Sequence, residues 1–131
     1  MIKQLSHVSI STKSIDKVIS FYINILGFKI FHKFINQSNN EHYGLFIDCG
    51  NKTFLEFFKE KKRVSRNSYL RHICFEVKNI KKIAKKLKKY DSKIELKRGK
   101  TDNVLQFMTH DFEKNLIEFH EYDKKSIFKK K

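Results

Sequence analysis

At 131 residues, 40% of them hydrophobic and 13 of them Phe, the chain can bury a core as one domain and is too apolar for a disordered one. No apolar run approaches the roughly 18 residues that span a bilayer, the start MIKQLSHVSI lacks a signal-peptide core, and Cys49 and Cys74 form neither CxxC spacing nor a disulfide framework; the expectation is a cytoplasmic protein with no membrane partner. The formal charge of +15 rests on 29 basic residues, of which only Arg63, Arg66, Arg71 and Arg98 are arginine, so it favours anionic small molecules by long-range steering and does not mark specific nucleic-acid recognition.

The first element is the strand LSHVSIS, Leu5 to Ser11, whose alternation sets Val8 and Ile10 on one face and His7 on the other. SIDKVISFYINILG follows as a helix with Ser14 as N-cap and Gly27 just past its end, and its apolar stripe is Ile15, Val18, Ile19, Tyr22, Ile23 and Leu26. Three strands come next, over 28–35, 43–50 and 52–60, the last two joined by a tight turn at Gly50-Asn51. The turn-rich KEKKRVSRNS then separates this first half from a second one.

The second half repeats the same order. RHICFEV (71–77) is a strand, and NIKKIAKKLKKYD is a helix capped by Asn79, with Ile80, Ile83, Ala84, Leu87 and Tyr90 as its apolar stripe. KIELKR, NVLQFMTH and LIEFHEY are strands, and HDFEKN is the last turn. The chain thus reads as an α+β protein of two βαβββ modules, 1–60 and 68–122, in one domain over 1–131, with a frayed basic tail at 123–131. The two modules are expected to build a curved mixed sheet with a concave face.

Polar exceptions occupy matching places in the two modules. His7 and His72 lie in the first strand of each, and Glu56 (FLEFF) and Glu118 (LIEFH) lie in the last. In all four strands the flanking apolar residues are expected to face the helix, so all four polar residues point to the opposite face. Two imidazoles and two carboxylates suit a divalent ion such as Ni, Zn, Co, Fe or Mn, with positions left open for water or substrate. Cys74 and Glu76 share the face of His72, and Cys74 reads more simply as a small packed residue. His32, His42, His110 and His120 have no counterpart in the other module and read as surface or rim residues. Phe54, Phe58 and Met108 are candidates to line a pocket, and Arg63, Arg66, Arg71, Arg98 and Lys100 to grip an anionic substrate.

On these residues the chain resembles the vicinal oxygen chelate superfamily over about residues 3–122. LSHVSISTKSIDKVISFYINILGFKI resembles the family's opening strand and helix with its FY and LGF, FLEFF and RHICFEVKNI resemble the second and third ligand strands, and HDFEKNLIEFHE resembles the final hairpin, with the usual Pro and Gly of its turn missing. His7, Glu56, His72 and Glu118 match the His/Glu/His/Glu set of glyoxalase I, whereas epimerases of the family typically carry Gln at the second position and its dioxygenases and fosfomycin enzymes use His/His/Glu. The resemblance implies a metal-dependent lyase or isomerase acting on the hemithioacetal of a 2-oxoaldehyde and a thiol. Glu118, or else Glu56, would carry the proton. It also implies a homodimer. The alternatives are another metal enzyme of the superfamily (epimerase, dioxygenase or thiol transferase) and a metal-free protein that sequesters a small molecule.

Overall fold

Ser14 starts the first helix, its Oγ accepting a hydrogen bond from the Lys17 N–H at 3.2 Å. The computed structural model describes residues 1–60 and 70–129, so Arg63 and Arg66 lie outside it. The chain divides into two compact units, residues 1–67 and 68–131. In the first, β1 (His7–Thr12), α1 (Ile15–Val18), β2 (Lys29–Ile35), β3 (His42–Asp48) and β4 (Phe54–Lys59) make a sheet of order β1-β4-β3-β2, with β1 parallel to β4 and the other pairs antiparallel.

From Ile19 to Ile25 the helix continues in wider, π-type turns, in which Leu26 N–H reaches Phe21 C=O at 3.0 Å. Regular helical spacing misses this widening. The wider turns rotate the buried face, so Phe21 and Ile25 join Ile15, Val18 and Tyr22 in the core, while Ile19, Ile23 and Leu26 are only half-buried. This stripe packs with Leu45, Ile47, Leu55 and Phe57, and the Tyr22 and Phe57 rings lie 5.1 Å apart. Full burial of each such side chain contributes about 1.5–3 kcal/mol. Gly27 leaves the helix at φ +80°, where a side chain would be strained.

The second unit has the same topology. Its β5 (Ile73–Glu76), α2 (Ile80–Leu87), β6 (Lys97–Arg98), β7 (Leu105–His110) and β8 (Leu116–Glu121) form a sheet of order β5-β8-β7-β6, with β5 parallel to β8. Asn79 Oδ1 caps α2 by accepting from Lys82 N–H at 3.2 Å. The helix ends before Tyr90, which is exposed and packs its ring on Phe112 instead of joining the stripe. KIELKR shrinks to the two residues of β6, because a turn on Asp91 sends Ile94 into the core rather than along the sheet edge. Missing Pro and Gly do not loosen the last hairpin. Asp111 Oδ1 accepts from the Glu113 and Asn115 N–H groups at 2.9 Å each, and Lys114 takes the left-handed position at φ +68°.

The C-terminal segment is not frayed as far as residue 129. Ser126 is fully buried, Ile127 N–H donates to Asp102 C=O at 3.0 Å, and Asn103 Nδ2 donates to Lys125 C=O at 3.1 Å. Phe128 stacks on Tyr122 with ring centroids 4.5 Å apart. Arg98 forks onto Asp123, Nη2 to Oδ2 at 2.5 Å and Nη1 to Oδ1 at 3.3 Å. Arg98 is therefore a structural tie and not a hand for an anionic substrate.

The chain has an α+β fold of two βαβββ modules. Among the described residues no helix is long and apolar enough to cross a membrane. The Arg98 guanidinium holds the Asp123 carboxyl down at about 2 from its ordinary 3.8. A depressed carboxyl stabilises the fold above its unfolded value, and that contribution fades as pH falls through the folded value. Acid titration is therefore expected to release the Tyr122–Phe128 contact, followed by NMR, between about pH 4 and 2. Asp123→Asn is expected to loosen it already at neutral pH.

Candidate metal centre

Parallel pairing sets the geometry. In the β1–β4 register His7 lies opposite Phe54 and Ser9 opposite Glu56, so His7 and Glu56 are diagonal neighbours on one sheet face. In the β5–β8 register Cys74 lies opposite Glu118, and His72, immediately before β5, takes the same diagonal place. His7 Nε2 stands 4.0 Å from Glu56 Oε1, and His72 Nε2 stands 3.8 Å from Glu118 Oε2.

Both separations exceed a hydrogen bond, about 3.2 Å at most, and fall short of twice a metal–ligand bond of about 2.1 Å. A divalent ion therefore fits between the two atoms of either pair, and the mixed imidazole–carboxylate donors suit a borderline metal. The carboxylates are largely covered, with side chains 13% and 12% exposed, while the imidazoles, at 41% and 37%, remain reachable from solvent. Ser6 Oγ lies 3.4 Å from His7 Nδ1, which leaves Nε2 as the nitrogen turned toward the carboxylate.

The two glutamates differ in their surroundings. Glu56 sits beside Phe46 in the β3–β4 register, and the Phe46 ring meets His7 edge-on at 5.4 Å. Phe34 packs on Phe46 and on Phe58, and Phe54 on Phe46, so the candidate lining residues Phe54 and Phe58 belong to an aromatic wall. Gly44 admits it, because a Cβ there would stand 2.7 Å from Phe58 Cδ1. Glu118 is flanked instead by Cys74 and by the exposed Met108.

Beside Glu118 lies His120, which the sequence reading leaves at the surface or rim. It is buried, and its Nε2 contacts Glu118 Oε1. The signal was present in IEFHE, since residues two apart on a strand share a face. His32 and His110 are exposed and His42 is half-buried. Cys74, Glu118 and His120 bring one ligand atom each within 4.8 Å of one another, a second grouping able to hold an ion. Arg71 and Lys100 are exposed, and Glu76 is cross-strand from His120.

The chain belongs to the Glyoxalase/Bleomycin resistance protein/Dioxygenase superfamily, whose family model matches residues 4–119. In structure it is similar to a glyoxalase family protein from Enterococcus faecalis, 25% identical at TM-score 0.70, covering 91% of this chain and 98% of that one. It also shares its fold with the fosfomycin resistance protein FosX from Listeria monocytogenes, 17% identical at TM-score 0.69, covering 95% and 97% of the two chains. A mutant of that protein, 18% identical at TM-score 0.68 with 95% and 96% covered, was solved complexed with Mn(II) and 1S,2S-dihydroxypropylphosphonic acid. A search of curated proteins by sequence found no match.

Desolvation by the surrounding sheet, with the charges of Glu118 and Asp102, pushes the solvent-accessible Cys74 thiol up to about 12, and burial takes the half-buried Cys49 to about 11. Cys74 is thus a thiol, not a thiolate, at neutral pH. Iodoacetamide at pH 8 is expected to label it at least about tenfold more slowly than free cysteine. Equal rates by mass spectrometry would contradict this.

Proposed function

We propose that the chain is a metal-dependent lyase of the glyoxalase I type, isomerising the hemithioacetal of a 2-oxoaldehyde and a thiol to a 2-hydroxyacyl thioester. His7, Glu56, His72 and Glu118 would hold one divalent ion, drawn from Ni, Zn, Co, Fe or Mn. The observation that carries this reading is the repeated diagonal His–Glu pair, at 4.0 Å in one unit and 3.8 Å in the other. A pair at matched positions in both units is not what two unrelated surface contacts would give.

When bound, the ion would supply Lewis-acid stabilisation of negative charge on substrate oxygen. The residues do the rest. A glutamate, Glu118 or Glu56, takes the proton from the carbon that bears sulfur and returns it to the neighbouring carbon. The hydroxyl proton passes to the adjacent oxygen, so the reaction is a balanced isomerisation with no oxidant. The aromatic wall beside Glu56 provides an apolar surface for the aldehyde's side chain, and the lysine-rich surface draws an anionic thiol conjugate by steering. A symmetric homodimer in the cytoplasm is part of the same proposal.

The test is to strip the protein, reload it with nickel or zinc, and follow hemithioacetal isomerisation. His7→Ala and Glu118→Gln are each expected to lower bound metal and to reduce kcat/KM at least about 100-fold, in the range of lost general acid–base catalysis. Metal bound without this activity would favour another chemistry of the superfamily, and a protein that binds no metal would favour a sequestering role.

A further inference from the structure

His120 and Phe58 hold equivalent positions, each two residues beyond the glutamate of its last strand. Phe58 can offer Glu56 no hydrogen bond, and the ion-pair partner of Glu56 is His7, at 4.0 Å. Glu118 has a close partner on one of its two oxygens. Oε2 faces His72 at 3.8 Å, and Oε1 meets Nε2 of His120, where the imidazole donates and the carboxylate accepts.

His120 is itself immobilised. It is 7% exposed, and its ring lies 5.8 Å from Tyr122 and 6.2 Å from Phe128. The stacked Tyr122–Phe128 pair is pinned in turn by the Ser126 and Ile127 hydrogen bonds and by the Arg98–Asp123 fork. A buried donor so fixed restricts which oxygen of Glu118 is available, and it keeps Oε2 turned toward His72.

We propose that His120 is a positioning residue for Glu118, holding Oε1 so that Oε2 stays a permanent metal ligand. Glu56, backed by Phe58, is then the more loosely held carboxylate and the one with freedom to move a proton. This rests on the metal-site reading above and assigns unequal roles to two glutamates that the repeat makes look equivalent.

The experiment measures metal affinity on the full chain, by zinc competition against a chromophoric chelator, with the visible spectrum of the cobalt-loaded protein as a second readout. His120→Phe, which copies Phe58, is expected to weaken zinc about 10- to 100-fold, the usual effect of losing a hydrogen-bonding partner behind a ligand, and to change the cobalt absorption. His120→Gln keeps an N–H donor and is expected to recover most of both. Combining His120→Phe with Glu118→Gln is expected to weaken binding no further than Glu118→Gln alone, since His120 acts through Glu118. Unchanged affinity and spectrum in His120→Phe, failure of Gln to rescue in a folded protein, or additive losses in the double variant would overturn the assignment while leaving the metal reading intact. A wild-type protein that binds no zinc or cobalt would overturn both.

Discussion

The parallel pairing of first and last strands, β1 with β4 and β5 with β8, is the constraint on which the rest depends. A parallel pair cannot be closed by a hairpin. It needs a long crossover, and here the helix and the two intervening strands supply it. The register so fixed places a histidine diagonal to a glutamate at the sheet face turned away from the apolar stripe. Without that register the four polar residues would be isolated exceptions on four strands. With it, each unit presents one imidazole and one largely covered carboxylate, spaced to admit an ion.

The same topology is dressed differently in the two units. Around Glu56 the sheet carries Phe34, Phe46, Phe54 and Phe58, and Gly44 is the small residue that lets the wall close up. Around Glu118 it carries Cys74, Met108 and His120, with the last buried under Tyr122 and Phe128. One carboxylate is bounded by rings that make no hydrogen bond. The other is held by a fixed donor whose support runs to the C-terminal segment, so residues beyond the last strand bear on the geometry of the site.

Alternation and repetition made the modules legible in sequence, and with them the matched places of His7 and His72 and of Glu56 and Glu118, the two glutamates standing between apolar neighbours on their strands. Features set by tertiary context were not legible. Helical spacing cannot reveal the π-type widening that exchanges Ile19 and Ile23 for Phe21 and Ile25 in the core. Composition makes 123–131 look like a solvated tail, yet Arg98, Asp102 and Asn103, distant in sequence, tie down Asp123, Lys125 and Ile127. His120 stands where the first module has Phe58, so the repeat does not mark it, and its contact with Glu118 is set by that difference.

On the proposed function the ion is held by the imidazole and carboxylate of the diagonal pairs, and not by the Cys74–Glu118–His120 grouping. X-ray absorption on the zinc-loaded protein tests this most directly. The predicted result is an inner coordination sphere of nitrogen and oxygen only, at about 2.0–2.2 Å, with the outer scattering of imidazole. A sulfur neighbour at about 2.3 Å would place the ion on Cys74 and contradict it.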